Sequence, residues 1–162
     1  MNAGAGGVAA DAHAVRFSSH RRTLTETDVV TFVNAAGVHE PFLIDMEYVR
    51  EKMGGTHHGR FVPGPMVMSV GMGLVAPLIT GVIEQLAQRT GLGPAGGMTG
   101  VSFRLLEAVY PGDTLRVEGD ARVRGQTGRG YTLVDIRHSV INQHERMVAD
   151  FTETALFLPA GR

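Results

Sequence analysis

The spacing of apolar positions changes near the middle of the chain, and the change separates a helical half from a β half. In the first half, Val29, Val30, Phe32, Val33 and Ala36 recur with helical period. Thr25-Glu26-Thr27-Asp28 sets a capping box ahead of them, and Gly37 supplies the C-terminal stop. A short amphipathic helix is therefore predicted. It leads into AGVHEPFLID, Ala36 to Asp45, where Pro41 forbids helix and holds Glu40 extended. Asp45 is placed to cap a second short helix, Met46 to Lys52. Gly54 to Gly64 is a Gly-rich loop, and Pro65 at N1 opens PMVMSVGMGLVAPLI. This run is apolar nearly all round, which predicts a helix buried on every side. Pro77 is expected to kink or end it, with Ile79 to Arg89 continuing as a second helix. Gly91 to Gly97 reads as a flexible loop.

The second half reads as strands: MTGVSFRLLEAV, TLRVEGDARVRGQ, YTLVDIRHSVIN and RMVADFTETALFL. In the last, Met147, Ala149, Phe151, Ala155 and Phe157 point one way, and Asp150, Thr152 and Thr154 the other. Glu153 is a charge on the apolar side. The connections are turn-like. Pro111-Gly112 suits the centre of a type II turn, and Gly125 to Gly130 and Asn142 to Glu145 join the following strands. A fifth strand is expected near Val15 to Thr23. An apolar helix and a run of long antiparallel strands imply an α+β fold with the sheet curled around the helix. Such a sheet has edges that a second copy can cover.

Composition narrows the class. A chain of 162 residues accommodates one domain, assigned to 15–162, behind a mobile N-terminal tail, 1–14. The opening MNAGAGGVAADAHAV lacks a basic start and a sustained apolar core, so it does not read as a secretory signal. Net charge is -1 with no basic block, which argues against a nucleic-acid partner. The absence of Cys excludes disulfides, thiolate metal sites and a Cys nucleophile, and fits a cytoplasmic location. Met66 to Ile83 is interrupted by glycines and Pro77 and has no basic flank, so it reads as a core helix and not as a membrane span.

Five stretches in order carry a resemblance: RTLTETDVVTFVNAAG, a Pro-containing loop ending in Asp, GRFVPGPMVMSVGMGL, VYPGDTL, and NQ before the last strand. In this order they resemble the MaoC-like hydratase/dehydratase family, and the resemblance covers roughly Arg16 to Leu158. The resemblance implies a hot-dog fold, a homodimer, and action on acyl thioesters of coenzyme A or acyl carrier protein, with no cofactor. The family's active loop follows Gly-Asp-x-Asn-Pro-x-His-x-Asp. Here Gly37, Pro41 and Asp45 match it, whereas Val38 stands for the catalytic Asp, Glu40 for the Asn and Leu43 for the catalytic His. The matching Gly, Gly64, is implied to hold the thioester oxygen.

Adding water to an enoyl thioester needs a base, an acid and a donor for the oxygen that gains charge. Val38 and Leu43 cannot move protons and would wall a substrate tunnel. His39 and Glu40 are the titratable groups left in the loop, and a displaced dyad of the two is the catalytic candidate. The plainer readings are a solvated His39 and a Glu40 paired with an Arg. Gly64 and Pro65 open the central helix, so backbone N–H groups there can face an oxyanion; a tight helix entry would look the same. His57-His58 is weak as a metal site, and His58 is assigned instead to substrate or surface. Arg60 can meet a phosphate or carboxylate of a carrier. Met53, Met66, Met68, Met72 and Met98 suit an adaptable acyl tunnel or a Met-rich core. Ser69 lacks the elbow motif of serine hydrolases. Two rivals to a hydratase are a non-catalytic hot-dog subunit and a hot-dog thioesterase or other repurposed enzyme.

Overall fold

The structure, a computed structural model, describes residues 13–160. The expected tail 1–14 lies outside these except for its last two residues. The fold begins with two short strands, β1 (Val15–Ser18) and β2 (Arg22–Thr23). Helix α1 (Glu26–Ala36) follows, with the capping box in place: the Asp28 amide donates to Thr25 Oγ1 at 3.1 Å, and the Thr25 amide to Asp28 Oδ2 at 2.8 Å. Gly37 ends α1 at φ 68°, the left-handed conformation that favours Gly.

The Thr25 backbone and hydroxyl, then the Arg22 guanidinium, hold the Asp28 carboxyl below its ordinary value of 3.8. A depressed carboxylate stabilises the fold above its unfolded pKa, and the contribution is lost as pH falls through the lower folded value. Asp28→Ala is therefore expected to cost about 1 kcal/mol near neutral pH. In chemical denaturation the gap from wild type should close as the pH drops below the ordinary carboxylate range.

One correction concerns the next segment. Pro41 does not forbid helix: Pro41–Ile44 forms a helical turn, α2, with Pro at its first position. Proline has no N–H to lose there, because that donor has no intrahelical partner in any helix. Glu40 before it is extended, at φ -70° and ψ 140°, as expected. Asp45 caps α3 (Met46–Tyr48), accepting from the Glu47 and Tyr48 amides at 2.9 and 3.1 Å, and a π turn, Val49–Met53, prolongs it.

Helix α4 is a single helix, Gly64–Thr90, and Pro77 does not end it. A helical proline frees the carbonyl four residues earlier. Here that carbonyl belongs to Gly73, and both Gly73 and Pro77 lie on the exposed side, where water can take the bond. The expectation of burial on every side also fails. Met66, Val67, Val70, Gly71, Leu74, Val75, Val82 and Leu86 are buried, while Ser69, Gly73, Ala76, Pro77, Thr80 and Gly81 are exposed in the single chain.

The buried face of α4 lies on the sheet of β3 (Ala95–Leu105), β4 (Thr114–Gln126), β5 (Thr132–Ile141) and β6 (Met147–Phe157). β3 begins within the expected Gly91 to Gly97 loop. The sheet is antiparallel in the order β1-β4-β5-β6-β3, with β2 also on β4. Gly71 lets the helix approach closely: a Cβ there would stand 2.9 Å from the Phe151 ring. Alternation on β6 shifts at its start. A register shift opposite Val140 and Ile141 turns Met147 out and buries Val148.

The turns hold as read. Gly112 has φ 98°, and the Asp113 amide donates to Tyr110 O at 3.0 Å. Asn142 Oδ1 accepts from the amides of His144 and Arg146. Gln143 spans two turns, accepting from the Thr114 amide at 2.9 Å and donating to Asp113 Oδ1 at 2.7 Å.

Candidate active site

The first turn of α4 leaves one backbone donor without an intrahelical acceptor. Pro65 has no amide hydrogen, and the amides of Met66 and Val67 already donate to Pro63 O at 2.9 and 3.1 Å. The Gly64 amide is thus the donor available at this helix end, where the dipole favours negative charge. Phe103 and Leu105 of β3 face it. A Cβ on Gly64 would meet the Phe103 ring at 3.5 Å and Leu105 at 3.8 Å, ordinary contact distances. Sterics therefore do not force Gly here: an added Cβ would rest against Phe103 and Leu105 without displacing them.

The loop between α1 and α2 is pinned beside this helix end by its apolar residues. Leu43 is 1% exposed and shares a core cluster with Val62, Met66 and Val67, with Val38 and Phe42 packed against it. Burying a side chain of that size stabilises by about 1.5–3 kcal/mol. The Phe42 ring stacks on Phe61 at 5.5 Å, joining the loop to the strand-like entry of α4. His39 and Glu40 point the other way, into solvent, and their side chains make no hydrogen bond or ion pair among the described residues. Leu43 is a packing residue, not a wall facing open space, in the single chain.

The remaining sequence candidates separate. Arg60 Nε lies 2.8 Å from Glu26 Oε1, which matches its charge from the start of α1, although the buried Nε makes no aligned hydrogen bond among the described residues. His57 Nδ1 is 2.8 Å from the Tyr110 hydroxyl, and the His58 ring lies on Tyr110 with centroids 3.9 Å apart. Burial, reinforced by the Asp113 carboxylate, raises the Tyr110 pKa, so the phenol keeps its proton and can donate. His57 and His58 also line a cavity of about 390 Å³ with Met46, Val49 and Arg50.

One polar pair was not singled out as a site from sequence. His138 of β5 is 2% exposed, and its Nε2 lies 3.0 Å from Glu153 Oε1 of β6. A signal was present in each strand separately. His138 takes an inward place in the alternation Val134, Ile136, His138, Val140, and Glu153 is the charge on the apolar side of β6.

No protein-family model matches the chain, and no curated protein matches its sequence. Solved structures do match its fold. A MaoC-like dehydratase from Rhodospirillum rubrum superposes with a TM-score of 0.64 at 21% identity, covering 92% of this chain and 94% of that one. An R-hydratase from Pseudomonas aeruginosa gives 0.54 at 22% identity, over 91% and 82% of the two chains. A 3R-hydroxyacyl-ACP dehydratase complex from Mycobacterium tuberculosis gives 0.64 at 13% identity, over 88% and 95%. The chain has the hot-dog fold of these structures.

Proposed function

We propose, from a hot-dog fold shared with MaoC-like dehydratase and R-hydratase structures, that this chain is a MaoC-like acyl-thioester hydratase or dehydratase. Its substrate is an acyl group on coenzyme A or acyl carrier protein. The observation that carries the reading is the Gly64–Pro65 opening of α4. It offers an amide and a helix dipole to one small anionic oxygen, beside the apolar side chains of Phe103 and Leu105. A thioester carbonyl becoming an enolate is such an oxygen, attached to an apolar group.

In this reading the acid and base are His39 and Glu40, in place of the Val38 and Leu43 positions. Hydration takes a proton from water as its oxygen bonds to Cβ, and delivers a proton to Cα. Dehydration runs the same steps backwards. His39 and Glu40 are adjacent in sequence and without another partner among the described residues, so both remain available for transfer. A second copy supplies what the single chain leaves open. β3 is one edge of the sheet, and it exposes Met98 (56%), Val101 and Leu105 on the helix-side face. An apolar edge of this kind is ordinarily paired or covered.

The purified chain is expected to run as a homodimer in sedimentation analysis and to interconvert an enoyl and a 3-hydroxyacyl thioester, followed by loss of enoyl absorbance. A dimer that releases free thiol without hydration would replace this reading with a thioesterase.

The exposure of His39 and Glu40 favours one alternative, a non-catalytic subunit. Activity appearing only on mixing with a second hot-dog chain that carries the family's Asp and His would establish it.

A further inference from the structure

We propose that His138 and Glu153 bind a neutral hydroxyl group carried on the remote part of an otherwise apolar acyl chain. The proposal rests on the thioester reading above, with Gly64 at the thioester end.

His138 stands on the helix-facing side of β5, between Gly119 of β4 and Phe151 of β6. Its ring stacks on Phe151 at 4.2 Å and 9°, with Phe17 at 5.6 Å on a tilted plane. Although Nε2 is 3.0 Å from Glu153 Oε1, neither ring nitrogen has a hydrogen bond among the described residues. The carboxylate lies near the ring nitrogen but off its N–H direction. Buried polar groups are rarely left in that condition, and one that is calls for a partner the protein itself does not supply.

The pair borders a cavity of about 300 Å³ whose other walls are Met72, Gly73, Val75, Ala76 and Ile79 of α4. Apolar walls with one convergent polar pair are the usual form of a small-molecule site. Along the helix, Met72 lies eight residues beyond Gly64, or about 12 Å at the α-helical rise. A proton donor must come within hydrogen-bond reach of the atom it serves. A thioester held at Gly64 therefore keeps its Cα and Cβ far from His138, and the pair acts in recognition and not in proton transfer.

The chemistry of the pair selects the guest. A hydroxyl donates to the Glu153 carboxylate and accepts from a His138 N–H, meeting both. A carbonyl leaves Glu153 without a donor, and a carboxylate is repelled by it. A methyl terminus leaves both groups unmet in an apolar cavity.

Calorimetric titration with non-reactive thioether analogues of acyl-pantetheine, the arm common to coenzyme A and acyl carrier protein, tests this. The analogues form a series of matched chain lengths ending in methyl or in hydroxyl. At one length the hydroxyl analogue should bind wild type roughly 10- to 100-fold tighter. His138→Phe, which keeps a ring on Phe151, and Glu153→Gln, which keeps the shape, should each reduce that preference to less than about threefold. If His138→Phe does not fold, Glu153→Gln decides alone. Equal binding of both analogues at every length, or a preference that survives Glu153→Gln, overturns the proposal while leaving the thioester reading in place. Binding of neither analogue overturns both.

Discussion

His39→Ala and Glu40→Ala are each expected to lower kcat on an enoyl thioester by roughly 10²–10⁴-fold, the contribution of a positioned general acid or base. KM should change little, because neither side chain holds the acyl group or the carbonyl. Neither change threatens the fold. Both side chains are exposed and have no partner among the described residues, and surface substitutions of that kind usually shift stability by less than about 0.5 kcal/mol. The prediction therefore discriminates sharply: unchanged kcat in both variants, with an intact melting transition, removes the displaced dyad from consideration.

Gly119→Ala is expected to have the largest effect on stability, a loss of about 3 kcal/mol or more. Gly119 sits in β4, paired with Phe17 of β1 on one side and His138 of β5 on the other. A Cβ there would stand 2.0 Å from the Arg137 carbonyl oxygen and 2.5 Å from the Phe17 ring. The ring can rotate away, but the carbonyl belongs to the neighbouring strand and moves only if the sheet does. The measurement is a denaturant titration, in which the midpoint should fall sharply. A control at Gly73, where a Cβ meets nothing within 4 Å, should stay near wild type or gain from the better helix former.

Local rules carried the sequence reading where they were self-contained. The Thr25–Asp28 box, the Gly37 stop and the Asp45 cap each depend on side chains within a few residues, and each stands as read. Pro41 and Pro77 misled because a proline's effect depends on its position in the helix and on what faces the freed carbonyl. The one-sided burial of α4 depends on which other elements exist to cover it, which periodicity does not encode. His138 and Glu153 illustrate the same limit in the sheet. Each was visible as an oddity in its own strand, but β5 pairs Ile136 with Glu153 and His138 with Phe151, so the contact runs diagonally and needs the register. At the α1–α2 loop, the sequence marked the place and the missing proton carriers. The outward direction of His39 and Glu40, and the inward burial of Leu43, follow from packing against Val62 and Met66 far along the chain.

The Gln143 side chain has a mechanical consequence for a distant loop. Asp113, which it grips, also accepts from the Tyr110 amide at 2.8 Å, and Tyr110 in turn bonds His57 and supports the ring of His58. These contacts run from the β5–β6 hairpin to the glycine-rich approach to α4. Glycine gives that approach the highest entropic cost of ordering of any residue type, and little side-chain packing with which to offset it. Its stiffness is therefore borrowed: a turn at the opposite end of the sequence steadies the segment from which the Gly64 amide is aimed.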